Sequence, residues 1–143
     1  MYCDYHVHSA YSDDSEYPLE QLIRDAMKKG MDEICITDHV DYGIKEDIDQ
    51  GQAIRYRDGY PLTNVDYPQY FKELKYLQDK YPQIKIKIGL EFGMQTHTIQ
   101  QYEQLFNRYP FDFIILSCHQ VNNQEFWTQE FQKNKSQDQY YYE

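Results

Sequence analysis

A chain of 143 residues, 41% hydrophobic and 27% charged, has the length and balance of one globular domain with a real core. A formal net charge of −10 sets up a repulsive field that argues against nucleic acid or an anionic membrane as partner. Met1 leads straight into Tyr2-Cys3-Asp4-Tyr5 without the basic and apolar regions of a signal peptide, and no apolar run approaches a membrane span, so the expected location is cytoplasmic.

Strand-like and helix-like segments alternate. Residues 2–8 read as a first strand. Residues 18–29 read as a helix, with Leu19, Leu22, Ile23, Ala26 and Met27 on one face, Pro18 at its first turn and Gly30 just past its end. Residues 33–38 read as a second strand. Residues 40–65 are rich in Asp and Gly and lack a period, which predicts a long loop, and a loop of that length is often functional. Residues 68–80 carry Tyr70, Phe71, Leu74 and Leu77 on one helical face and stop at Tyr81-Pro82.

Residues 84–91 alternate strictly: Ile84, Ile86, Ile88 and Leu90 on one side, Lys85, Lys87, Gly89 and Glu91 on the other. Thr98 and Gln101 have the spacing of a capping box for a third helix bearing Ile99, Tyr102, Leu105 and Phe106. Residues 111–118 form a nearly continuous apolar run, as in a buried parallel strand. The stretch 129–139 is polar and reads as exposed, and Tyr140 to Tyr142 can begin another helix. The order is β-α-β-α-β-α-β, a single α/β unit with parallel strands and right-handed crossovers. Cys3, Cys35 and Cys118 lie in strand-like segments without paired spacing, so they are expected to be buried, reduced thiols. With 16 tyrosines, many phenol hydroxyls must find water or a partner.

Four of the five histidines fall at strand ends. His6 and His8 lie two apart at the end of the first strand and so share a face. His39 follows the second strand, Glu91 closes the third and His119 closes the fourth. Parallel strands bring their carboxyl ends to one rim, where ligands collect. Each residue alone has a structural explanation: a satisfied core histidine, a loop anchor, or a Glu91–Lys87 pair. Together they form a donor set suited to Zn, Mn or Fe, and a carboxylate such as Glu91 can bridge two cations. His97 lies outside this pattern and reads as a loop histidine.

The segment from Asp4 through His6, His8 and Ser12 to Asp13 resembles the first motif of the PHP (polymerase and histidinol phosphatase) superfamily. Thr37-Asp38-His39 resembles its second motif, Gly89-Leu90-Glu91 its glutamate motif and Ser117-Cys118-His119 its third histidine motif. The stretch from Gly89 to Trp127 is most similar to the histidinol-phosphatase branch. The resemblance implies the first half of a distorted (β/α)7 barrel and a cluster of two or three divalent ions. It implies His6, His8, Asp13, His39, Glu91 and His119 as ligands, with Glu91 bridging and with Glu91, His119 and Asp13 at the reacting centre. The implied substrate is a small phosphate ester, L-histidinol phosphate, hydrolysed to L-histidinol and phosphate in histidine biosynthesis.

A whole barrel of this kind takes on the order of 250 residues. No Asp-x-His follows His119, although the family carries further ligands in such a motif, together with basic residues for the phosphate. The chain is therefore expected to be incomplete at its carboxyl end, with open strand edges that favour self-association. Two alternatives stay open on the sequence: another PHP-type phosphoesterase (phosphodiesterase, exonuclease or phosphotyrosine phosphatase), or a metal-binding fragment that does not turn over by itself. An amidohydrolase is more remote, because it shares only the paired histidines of a first strand.

Overall fold

The computed structural model describes residues 1–142. The first βα unit is β1 (Cys3–Val7) and α1 (Leu19–Lys28), followed by β2 (Glu33–Ile36) and a two-residue continuation, β3 (His39–Val40). The segment after Val40 holds a 3-10 turn at Ile48–Gln50 and a small hairpin, β4 (Tyr56–Arg57) with β5 (Tyr60–Pro61). Then come α2 (Tyr67–Lys80), β6 (Lys85–Gly93), α3 (Ile99–Arg108) and β7 (Phe113–Ser117). A second hairpin, β8 (Gln120–Val121) with β9 (Gln124–Glu125), and a short α4 (Gln137–Tyr141) complete the order.

The main sheet is parallel throughout. β1 pairs β2, β2 and β3 both pair β6, and β6 pairs β7. Sequential strands are therefore neighbours in space, the arrangement of a barrel wall. The wall is curled: Tyr5 of β1 and Phe113 of β7, on the first and last strands, meet edge to face at 5.1 Å. The parallel α/β unit expected from the alternating segments, and the half-barrel that the family resemblance implies, are thus the observed architecture.

The helices cover the outer face. Ile86, Ile88, Leu90 and Phe92 of β6 are buried with Leu22, Ile23, Leu74, Leu77 and Leu105 in one apolar cluster. Two buried tyrosines tie helix to sheet. The Tyr70 hydroxyl of α2 lies 3.0 Å from the carbonyls of both Ile36 and Gly89. The Tyr102 hydroxyl of α3 lies 2.9 and 2.8 Å from the carbonyls of Val40 and Gly93. Each phenol stands where β6 and its neighbour leave carbonyl oxygens at the helix interface, which answers the demand that so many tyrosine hydroxyls make.

Several expectations are corrected. β7 is not a buried strand: its outer edge is unpaired among the described residues, and Phe113 and Leu116 are 39% and 69% exposed. Of the three thiols Cys35 alone is buried; Cys3, in the outer strand β1, and Cys118, just past the outer strand β7, are exposed. Thr98 does not cap α3. Its hydroxyl donates back to the Gln95 carbonyl, since Thr96–Thr98 is already a 3-10 turn. Lys87 pairs with Asp112 and leaves Glu91 to other partners. His97 lies in that 3-10 turn, 3.0 Å from Asn123 Oδ1. The final polar stretch is mostly exposed, but Phe131 within it is buried.

Candidate metal centre

Glu91 is the hub. β6 carries it between His39 of β3 and Ile115 of β7 in the strand register. It is 3% exposed, and four donors converge on it. His6 Nε2 and His8 Nε2 stand 2.8 and 2.9 Å from Oε2. His119 Nε2 stands 3.0 Å from Oε1, and the Ser117 hydroxyl donates to Oε1 at 2.6 Å. β1 carries a register irregularity between Asp4 and Val7, and His6 and His8 both reach this carboxylate.

The imidazoles are stacked edge to face around it. His8 and His39 have ring centres 4.3 Å apart, and His39 and His119 are 4.7 Å apart. His39 Nδ1 is buried without a hydrogen-bond partner and lies 3.6 Å from Glu91 Oε2. Buried ring nitrogens are normally satisfied, so this one calls for an explanation.

The loop between β1 and α1 is fixed by Asp38, which is fully buried. Asp38 accepts from the Ser9 amide and from the hydroxyls of Ser9 and Ser12 at 2.6, 2.7 and 2.8 Å. The Ser12 oxygen in turn accepts from the His39 amide at 2.8 Å. Beyond Ser12 the two adjacent acids part. Asp14 Oδ2 lies 2.8 Å from His8 Nδ1 and 3.3 Å from His39 Nε2. Asp13 points away and pairs with Lys45 at 2.7 Å. The geometry thus brings Asp14, and not the expected Asp13, into the cluster. Consecutive residues of a tight turn diverge, and Lys45 holds the other one.

Two further residues had no signal in the sequence. Asp41 is buried and lies 2.9 Å from His119 Nδ1, and its second oxygen meets the buried Lys45 at 2.9 Å. Both lie in the aperiodic stretch after β3. Only the offset of Asp41, two residues past His39 on an extended segment, could have marked it.

Electrostatics follow the geometry. Burial opposes charge on His8, but Glu91 and Asp14 outweigh it and push the imidazole up to about 9. His119 is likewise disfavoured by burial and lifted to about 9 by Asp41 and Glu91. Burial would raise Glu91, yet its bonds to His119, His8, Ser117 and His6 hold it well below the usual carboxylate range. His39 is held below its ordinary value, chiefly by burial. Burial pushes Asp38 up against its three donors.

A stability prediction follows for the metal-free protein. His8 and His119 titrate higher folded than their ordinary value of 6.5, so their stabilisation is full below about pH 6.5 and is lost as pH rises through about 9. Glu91 is depressed, so its stabilisation is present above its ordinary value and is lost in acid. Thermal unfolding in chelator should therefore show a falling Tm from pH 6.5 to 9. A flat profile there would contradict the charged cluster.

The donors fit divalent cations. Three overlapping groups, His6/His8/Glu91, His8/Asp14/His39 and His39/Asp41/His119, each offer ligand atoms within 4.8 Å of one another. Imidazole and carboxylate donors suit Zn, Mn or Fe, and the orphaned His39 Nδ1 is a lone pair that a cation would satisfy.

The family model for the PHP domain matches residues 4–143. The chain belongs to the PHP family. It is 35% identical over 123 residues to the histidinol-phosphatase of Lactococcus lactis, a match covering 85% of this chain and 40% of that protein. It is 29% identical over 136 residues to a probable histidinol-phosphatase of Clostridium acetobutylicum, covering 94% and 46%. Among solved structures, the L. lactis histidinol phosphate phosphatase, crystallised with zinc, L-histidinol and phosphate, superposes with a TM-score of 0.81 at 31% identity, over 97% of this chain and 48% of that one. This PHP chain therefore spans somewhat less than half the length of the relatives it matches.

Proposed function

We propose that this chain carries the strand-end histidines and the bridging glutamate of a histidinol-phosphatase, a metal-dependent enzyme that hydrolyses L-histidinol phosphate to L-histidinol and phosphate. The observation that carries this reading is Glu91, a buried carboxylate faced by imidazoles from β1 and from beyond β7, with His39 of β3 alongside. Likeness to histidinol-phosphatases supports the substrate. The proposed ligands are His6, His8, Asp14, His39, Glu91 and His119, for two or three ions. Zinc is the first choice because the L. lactis enzyme was crystallised with it. Manganese and iron suit the same donors.

Cations held there supply charge for phosphate oxygens and an acidified water as nucleophile. The chain's own part is to hold the donors. Ser117 fixes Glu91 Oε1, while the Asp38 network holds the backbone that bears His39 and the loop that bears Asp14. The exposed, unpaired thiols of Cys3 and Cys118 support a reducing, cytoplasmic location. No described helix is long and apolar enough to cross a membrane.

The test is elemental analysis after purification without chelator, beside a His6→Ala/His8→Ala variant, followed by phosphate release from histidinol phosphate, phosphotyrosine and a dinucleotide. Zinc, iron or manganese lost in the variant, with histidinol phosphate preferred, is the expected result. Metal with turnover of phosphotyrosine or the dinucleotide would move the chain to another PHP phosphoesterase. Metal without any turnover would make it a binding fragment. No metal in either protein would overturn the reading.

Metal uptake should also expel protons, since ligating imidazoles must be neutral and His8 and His119 are charged at pH 7. The calorimetric heat of zinc binding should therefore differ between buffers of different ionisation enthalpy, and affinity should rise toward pH 9. Equal heats in both buffers would contradict this. The edge of β7, unpaired among the described residues, with Leu116 69% exposed, further supports self-association. The light-scattering mass should rise with concentration above 17.4 kDa, and a constant monomer mass would count against it.

A further inference from the structure

We infer that Glu125 is a positioning residue: its carboxylate locks the excursions that follow β3 and β7 together across the end of β6, and so fixes the backbone that carries His119. The consequence for metal binding rests on the reading of the cluster as a metal centre.

β6, which bears Glu91, lies between β3 and β7 in the sheet. The excursion after β3 holds the hairpin β4–β5, and the one after β7 holds the hairpin β8–β9. They meet twice. At their base stands Gln95, just past β6. Its Nε2 donates to the Tyr42 carbonyl at 3.0 Å and to Asn123 Oδ1 at 2.9 Å, and its Oε1 accepts from the Asn123 amide at 2.8 Å. The approach there is close, since a β-carbon on Gly43 would fall 2.1 Å from Asn123 Oδ1.

Glu125 makes the second meeting. Its Oε2 pairs with Arg57 Nη1 of β4 at 2.5 Å, and its Oε1 accepts from Trp127 Nε1 at 3.0 Å. The same guanidinium lies over the Trp127 ring, 5.6 Å from its centre. Tyr56, Asp58, Gly59 and Tyr60 around Arg57 are exposed.

Both neighbours of Glu125 lead to the site. Across the hairpin it faces Gln120, whose Nε2 donates to the Gly93 carbonyl at the end of β6 at 2.9 Å. The next residue, Phe126, donates its amide to the His119 carbonyl at 3.0 Å. The locked side chain is thus one residue from the bond that holds the backbone of His119.

Glu125 is 8% exposed. A carboxylate this deep gives up most of its hydration, so pairing with Arg57 returns little net stability, and apolar side chains of similar size should serve stability equally well. What the pairing adds is direction, because the guanidinium and the indole N–H commit both oxygens.

The test separates direction from stability. Arg57→Met/Glu125→Leu keeps apolar contact and removes the lock. Three quantities are read: Tm, hydrogen exchange at the Phe126 amide in the metal-free protein, and zinc affinity in competition with a chromophoric chelator. Tm should stay within about 3 °C of the wild type. The Phe126 amide should exchange about tenfold faster, as its local opening becomes easier. Zinc affinity should fall about tenfold, the low end for a partner outside the ligands. Glu125→Gln, which keeps the size and the indole bond but loses the ion pair, should shift exchange and affinity the same way, and supplies the reading should the double variant not fold. Wild-type exchange at Phe126, or wild-type zinc affinity in a variant that has lost the lock, would overturn the inference. So would losses that appear only in step with a large fall in Tm, since they would make Glu125 merely structural. Faster Phe126 exchange in the variants of a chain that binds no zinc at all would uphold the positioning and sink the metal reading instead.

Discussion

Glu91→Gln is expected to weaken zinc binding by more than about 100-fold, since removing a mere supporting partner of a metal ligand already costs about 10–100-fold. The native carboxylate accepts from His6, His8, Ser117 and His119 at once. Glutamine keeps the shape but offers one acceptor oxygen, and turns an NH2 group toward rings whose nitrogens should face a cation. The loss should appear in competition with a chromophoric chelator, with far-ultraviolet circular dichroism unchanged. Wild-type affinity in this variant would remove Glu91 from the centre.

Asp38→Ala should be the most damaging change to the fold near the site. Alanine leaves the Ser9 amide and the hydroxyls of Ser9 and Ser12 without their acceptor in a buried place. Each orphaned donor costs about 1–3 kcal/mol. Removing a buried carboxylate returns part of this, so a net loss of about 3 kcal/mol is expected, a large share of the roughly 5–15 kcal/mol of a domain. A Tm drop on the order of 10 °C should follow. Because Ser12 also holds the His39 amide, zinc affinity should fall with stability. A drop of only a degree or two would show that the loop is held by something else.

These two carboxylates differ in how plainly the sequence announces them. Glu91 ends a strictly alternating strand, and alternation alone assigns it to the face opposite the isoleucines. His6, His8, His39 and His119 are legible for the same reason: strand ends in a parallel sheet must converge. The first two helices are legible from their apolar stripes, within one residue at each end. Asp38 reads only as part of a motif, since nothing in its neighbours says that it faces inward to three donors.

What was not legible depends on turns and on distant partners. Asp13 and Asp14 are chemically identical neighbours, and the choice between them is made by Lys45, 32 residues away from Asp13. Asp41 and Lys45 lie where no period exists to assign a face. β7 has the composition of a buried strand, but burial is a property of neighbours, and its outer side has none among the described residues. Thr98 has the capping spacing, yet the preceding 3-10 turn takes its hydroxyl first.

The partners of Glu91 also bear on how the chain folds. They are drawn from 85 and 83 residues upstream and 28 residues downstream. Such a centre cannot grow from a local nucleus, because long loops must close before any of its contacts pay off. In refolding, helical signal should therefore return before the imidazoles meet, and the cluster should mature last. A cation bound by His6, His8 and His119 would join the first strand to the segment just beyond β7. It should thus act chiefly on unfolding, slowing the escape from the native state far more than it speeds arrival there.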